Sequence, residues 1–135
     1  MLVELSYMLV TVGLWLLHVY HSSQVKPHPM AVVLGFICAQ LLVDFASGLL
    51  HWACDTWGTF HTPYVGPTLI RSFRMHHVDP QDITKHGFIE TNASTCYPVP
   101  PWIIAGLCMT PGSCFAVEVF QWMINIGVIS TILTN

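Results

Sequence analysis

The sequence predicts an all-α integral membrane protein of about three spans, with a short interfacial or re-entrant segment and a histidine-rich polar loop on one face. Three observations lead there. Hydrophobic side chains make up 53% of the 135 residues and charged ones only 8%, at a mean hydropathy of +0.59, a balance foreign to a water-soluble domain of this size. The apolar residues fall into runs of a length that suits a bilayer crossing. The polar residues are concentrated instead of dispersed: "FRMHHVDPQDITKHGFIETN", residues 73–92, holds three histidines, three acids and two cations.

Residues 5–20, "LSYMLVTVGLWLLHVY", form the first apolar run, with aromatic and histidine side chains gathered at its end as in an interfacial belt. The start "MLVEL" carries Glu4 where a signal peptide has basic residues, and "HVYHSSQ" is a poor small-x-small cleavage site, so this span is expected to be retained. "HSSQVKPHP" follows as a loop, because Pro27 and Pro29 lack an amide donor and clash with the preceding turn. Residues 30–54 exceed the ~20 residues that a span needs. Residues 55–97 form the only long polar stretch; it begins with the turn-rich "DTWGTFHTPYVGP", and "TLIRSFRMHH" suits a short helix along the interface. Residues 98–112, "PVPPWIIAGLCMTPG", are apolar but too short to span, whereas 115–133, carrying Glu118, are long enough. Lysine and arginine favour the long loop three to one over the first, which puts the histidine-rich loop in the cytoplasm.

Composition also excludes partners. A net charge of −3 with only Lys26, Arg71, Arg74 and Lys85 as cations provides no basic face for phosphates, so no nucleic acid is expected. The five cysteines lack a CxxC pair and sit mostly in or beside apolar stretches, as small buried hydrophobes do. The Asn92-Ala-Ser94 sequon is discounted on a cytoplasmic loop.

Within the second span Asp44, Ser47, Gly48, His51 and Asp55 fall three, four and seven residues apart, on one helical face. An ionisable group in hydrocarbon costs roughly 2.5 kcal/mol or more, so Asp44 and His51 either tie two helices together or face a site. His51 from the span and His76, His77 and His86 from the loop can converge on a metal, and neutral imidazole suits iron, copper or zinc. Neighbouring His76 and His77 diverge by about 100° on a helix, so they suit different metals or different roles around one. Asp55, Asp79, Asp82 and Glu90 are candidates for holding the second imidazole nitrogen. His18, His21 and His28 are expected at the opposite interface, and His61 in a turn-rich stretch is a weaker ligand candidate. Spacing alone does not name the metal, and a one-zinc hydrolase with Asp55 as base is a further possibility.

Three ordered motifs cover about the middle third of the chain: HWxxDTWG from His51, FRxHHxDP from Phe73 and HxFIETN from His86. Together they closely resemble the plasmanylethanolamine desaturase family of lipid desaturases, also called Kua proteins, whose plant relatives desaturate a phosphatidylglycerol acyl chain. The resemblance implies a multi-pass enzyme of the endoplasmic reticulum membrane with two histidine-bound irons, O2 as co-substrate and cytochrome b5 as electron donor. It implies a phospholipid substrate, the alkyl ether chain of a plasmanylethanolamine, which loses two hydrogens to give the vinyl ether of a plasmalogen. Carried over to this chain, it makes His51, His76, His77 and His86 iron ligands and Asp55 a ligand or the partner of one. Arg74, Asp79, Glu90, Thr91 and Asn92 become residues that shape the site. Family members continue into HxxxH and HHxxHH boxes, and no histidine follows His86 here. The chain is therefore expected to be the N-terminal portion of a lipid desaturase domain, the alternative being a catalytically incomplete membrane protein.

Overall fold

The computed structural model describes residues 2–75, 77–81, 85 and 87–133. Every regular element among them is helical. The long helices are α1 (Leu2–Ser22), α2 (Pro29–Trp57) and α6 (Phe115–Leu133); the short ones are α3 (Arg71–Met75), α4 (Phe88–Ala93) and α5 (Val99–Leu107). At 1.5 Å per residue α1, α2 and α6 reach about 32, 43 and 29 Å, enough to cross a hydrocarbon core of ~30 Å. Their outer faces fit that setting. Leu9, Val33, Leu41 and Phe45 are all more than half exposed, as lipid-facing side chains are.

The three predicted spans are present, each within a few residues of its expected bounds. α2 begins where expected because Pro29 at its first position needs no hydrogen-bond partner, and the His28 ring accepts from the Met30 amide. The backbone N–H of His28 donates to Glu118 Oε2 at 2.9 Å, so the acid in the first turn of α6 anchors the start of α2.

α2 and α6 form the principal seam, and they run parallel. Gly35 abuts Trp122, Ala39 faces Gly127, and Gln40 donates to Ser130 Oγ at 2.8 Å, so residue numbers rise together along both helices. Midway along the seam the polar tie is Gln40 to Ser130, and Asp44 takes no part in it.

The segment around α5 differs from the interfacial or re-entrant piece expected from its length. Its start lies beside the first turns of α1, where the Tyr7 hydroxyl donates to the Tyr97 carbonyl at 3.0 Å. Further on, Gly106 lies against His18, and Gly112 against Val25 beyond the end of α1. Residues 97–112 thus run lengthwise beside α1 from one end of the bundle to the other. Nine helical residues supply only about 14 Å of that path. The rest of that path is irregular chain that is largely exposed, Cys108, Thr110 and Gly112 included, with Gly112 resting on Val25 just beyond the end of α1. Val99 and Ile103 of α5 join Ile124 and Val128 of α6 in the buried core, flanked by Leu14 and Trp15 of α1.

His18 is the second departure. It was expected at the interface with His21 and His28, yet it is completely buried. Its Nδ1–H donates to Asn125 Oδ1 at 2.8 Å, a direction fixed because Asn125 Nδ2 donates to Ser22 Oγ at 2.9 Å. Trp15 Nε1 donates to the Asn125 carbonyl at 3.2 Å, so one asparagine of α6 binds three residues of α1. The ring fits because position 106 is glycine: a Cβ there would lie 2.2 Å from His18 Nε2. His28, by contrast, is exposed, as an interfacial residue should be.

Gly106→Ala is expected to destabilise the bundle by about 1–3 kcal/mol through overpacking against His18. Unfolding in mixed micelles measures it, with Gly13→Ala as the control, since a Cβ at Gly13 meets nothing within 4 Å. Equal stabilities of the two variants would contradict the close contact.

Candidate metal centre

The last two turns of α2 present His51 and Asp55 on one side, since residues four apart on a helix are neighbours. Opposite them the chain turns back. Gly58 ends α2, its N–H bonded to the Cys54 carbonyl, and glycine is required because a Cβ would lie 2.3 Å from that oxygen and 2.6 Å from Ile70 Cγ2. Residues 66–70 form one turn of π-helix, with the Ile70 amide bonded to the Val65 carbonyl, and lead directly into α3. Arg74 fastens α3 to the end of α2: its Nη1 donates to the Gly58 carbonyl at 2.6 Å and its guanidinium lies 5.6 Å from the Phe60 ring centroid.

This fastening delivers His77 to α2. Its Nε2 lies 2.9 Å from Asp55 Oδ2, and His51 Nε2 lies 3.2 Å from the same oxygen. One donor atom from each of the three residues falls within 4.8 Å of the others, close enough to share a single ion. The side chains of His51 and Asp55 are 38% and 29% exposed and that of His77 57%, so the cluster opens outward at the end of the span. Two imidazoles and one carboxylate are the donor set of non-haem iron(II) oxygenases, and the residues present fit iron on that chemistry.

The other sequence candidates are distributed as follows. His76, His86 and Asp82 lie outside the described residues, as do the side chains of Glu90 and Thr91. Asp79 meets Lys85 and accepts from the Gln81 amide, apart from the cluster. Those hydrogen bonds, chiefly the one from Lys85, hold its carboxyl below the ordinary 3.8. Asn92 is buried in α4, its Nδ2 donating to the Phe88 carbonyl at 2.8 Å. His61 is exposed in the loop, outside the cluster.

An apolar cavity of about 320 Å³ lies beside the cluster, between α2, α5 and α6. Its wall on α2 runs from Ala39 to Leu50, the residue before His51, an axial distance of about 16 Å. Trp102, Met123 and Val128 form much of the opposite side, and Phe73 of α3 lines the cavity as well. Thr95 and Thr131 turn their hydroxyls back to the carbonyls of Asn92 and Gly127, so Asp44 and Ser47 are the main polar features of the lining. The polar stripe read along α2 is thus divided, its deeper half on the cavity and its outer half in the cluster. Sequence reasoning missed Phe73, whose ring lies 4.8 Å from that of His51. Its place at the head of the FRxHHxDP motif, four residues before His77, was the available signal.

The chain is similar to known proteins of one family. The family model for the lipid desaturase domain matches residues 40–134. The plasmanylethanolamine desaturase of Myxococcus xanthus is 44% identical over 97 residues, covering 70% of this chain and 33% of that protein. Plasmanylethanolamine desaturase 1 of Mus musculus is 52% identical over 69 residues, or 51% of this chain and 26% of the mouse protein. Fatty acid desaturase 4, chloroplastic, of Arabidopsis thaliana is 46% identical over 48 residues, 36% of this chain and 15% of the plant protein. The matched stretches thus span a third or less of these relatives' length. No solved structure matches the chain.

Two expectations follow. His77→Ala and Asp55→Ala should each weaken iron(II) or cobalt(II) binding by at least the roughly 10–100-fold that loss of an outer partner alone causes, while Asp44→Asn leaves it unchanged; calorimetric titration distinguishes them. Lys85→Met should raise the Asp79 pKa toward 3.8, read by NMR titration. Because the folded value is depressed, the pair's small stabilising effect is complete above 3.8 and fades as pH falls through the lower value.

Proposed function

The chain belongs to the lipid desaturase family, and from that premise we propose that it acts in O2-dependent desaturation of a membrane phospholipid chain. The substrate in this reading is the alkyl ether chain of a plasmanylethanolamine, and the product the vinyl ether of a plasmalogen. Two hydrogens leave the chain, two electrons arrive through cytochrome b5 with two protons from water, and O2 is reduced to two molecules of water. The observation that carries the reading is the convergence of His51, Asp55 and His77 beside an apolar cavity lined along α2 from Ala39 to Leu50.

His51, Asp55 and His77 would hold iron in this reading, with His76 and His86 as further ligands toward a di-iron centre. Iron supplies, when bound, the oxidising chemistry that an unactivated C–H bond requires. The protein's own residues do the rest. Asp55 draws both imidazoles toward one point, which organises the donors before a metal arrives. Arg74 and Gly58 keep α3, and with it His77, against the end of α2. Trp102, Met123 and Leu50 exclude water along the chain's path and direct its length toward the bilayer centre. The carbons nearest the headgroup are then the ones beside the cluster, in keeping with oxidation next to an ether oxygen. Asp79, Glu90 and Asn92 shape the surroundings of the centre. We assign the histidine-rich loop to the cytoplasmic face of the endoplasmic reticulum membrane on its arginine and lysine content.

The test is expression of the chain in cells lacking ether lipid desaturase activity, with iron content and vinyl ether lipid measured together. Bound iron with restored vinyl ether, both lost in His77→Ala, is the expected result. Iron without vinyl ether would replace this reading with a membrane protein that keeps the centre but does not turn over.

A further inference from the structure

Phe73 belongs to two surroundings at once. It lines the apolar cavity beside Leu50, and its ring is tilted 53° to the His51 imidazole at 4.8 Å between centroids. The helix that carries it is fixed on several sides. Ile70, at the end of the π turn, is buried against Gly58; Arg74 grips the Gly58 carbonyl; and His77, one turn on, sits at Asp55. A ring on such a short, anchored helix behaves as a wall, because α3 fixes its Cβ and the His51 ring packed against it restricts its rotamers.

We infer that Phe73 is a positioning residue that closes the cavity on its His51 side and holds the headgroup-end carbons of a bound chain at a set distance from the metal-ligating rings. The chain's identity rests on the desaturase reading above, whereas the wall itself is a matter of packing. Its importance follows from the geometry that reaction demands: reacting atoms must approach to about 3–3.5 Å, and a misplacement of about 1 Å can cost about 10²-fold in rate. A saturated chain offers no polar handle for such placement. A rigid aromatic surface of ~150–250 Å² can supply it by shape alone.

The test uses the full chain in phospholipid vesicles with an ether phospholipid that carries a diazirine on one of the first carbons of its alkyl chain. After irradiation the labelled residues are mapped by mass spectrometry, and metal binding is titrated in parallel samples. The wild type is expected to take label at Phe73 and Leu50. Phe73→Ala should shift it onto His51, Phe73→Tyr should keep it at position 73 and Leu50, and Phe73→Leu should give an intermediate pattern should the alanine variant fail to insert. The same label on Leu50 and none on His51 in both Phe73→Ala and Phe73→Leu would overturn the inference. So would a wild type labelled at His51 as strongly as at Leu50. Labelling needs no metal, so a shift onto His51 in a chain that binds none would uphold the wall and overturn only the metal centre.

Discussion

Because α2 and α6 run in the same direction, the chain that leaves α2 at one end of the bundle must return to the other before α6 can begin. Much of the architecture answers to that constraint. Residues 97–112 make the return beside α1, with Trp102, Ile104, Cys108 and Gly112 left exposed while Val99, Ile103 and Gly106 turn inward. Burying them creates the Val99, Ile103, Ile124 and Val128 core and draws His18 inward against Gly106. Asn125 accepts the hydrogen bond from His18 Nδ1–H while bonding Ser22 and Trp15, and the buried Nε2 of the same ring has no hydrogen-bond partner among the described residues.

The same seam leaves part of α2 available for chemistry. α6 and α5 leave an apolar recess between themselves and α2 along the Ala39 to Leu50 face. Beyond it, the last turns of α2 carry His51 and Asp55 to the end of the bundle, where α3 can reach them. The recess lies at membrane depth, while the cluster sits where polar groups from the loop can gather without a desolvation cost. Phe73 joins the two. An apolar recess and a cluster of two imidazoles and a carboxylate are thus adjacent although they suit opposite environments.

Parts of this arrangement were legible in the sequence for simple reasons. Apolar runs of bilayer length announced α1, α2 and α6, and i, i+4 spacing announced the His51 and Asp55 pair, because helical periodicity is local. The HWxxDTWG and FRxHHxDP motifs brought His51 and His77 into one hypothesis. Other features left no local trace. His18 looks interfacial at the end of an apolar run, and only its contacts with Gly106 and Asn125, far along the chain, make it a core residue. Asp44 looked like a possible tie between helices, yet Gln40 meets Ser130 and Asp44 lines the cavity.

The sequence by itself determined that this is a helical membrane protein with an imidazole and a carboxylate one helical turn apart at the end of its second span, because hydropathy, spacing and residue type are properties of neighbours along the chain. Tertiary structure decided the parallel seam, the lengthwise path of residues 97–112, the burial of His18, the cavity and the place of Phe73 between cavity and cluster. Each of those depends on which helix faces meet across distances of tens of residues. A linear pattern records which faces are apolar, and packing alone selects their partners.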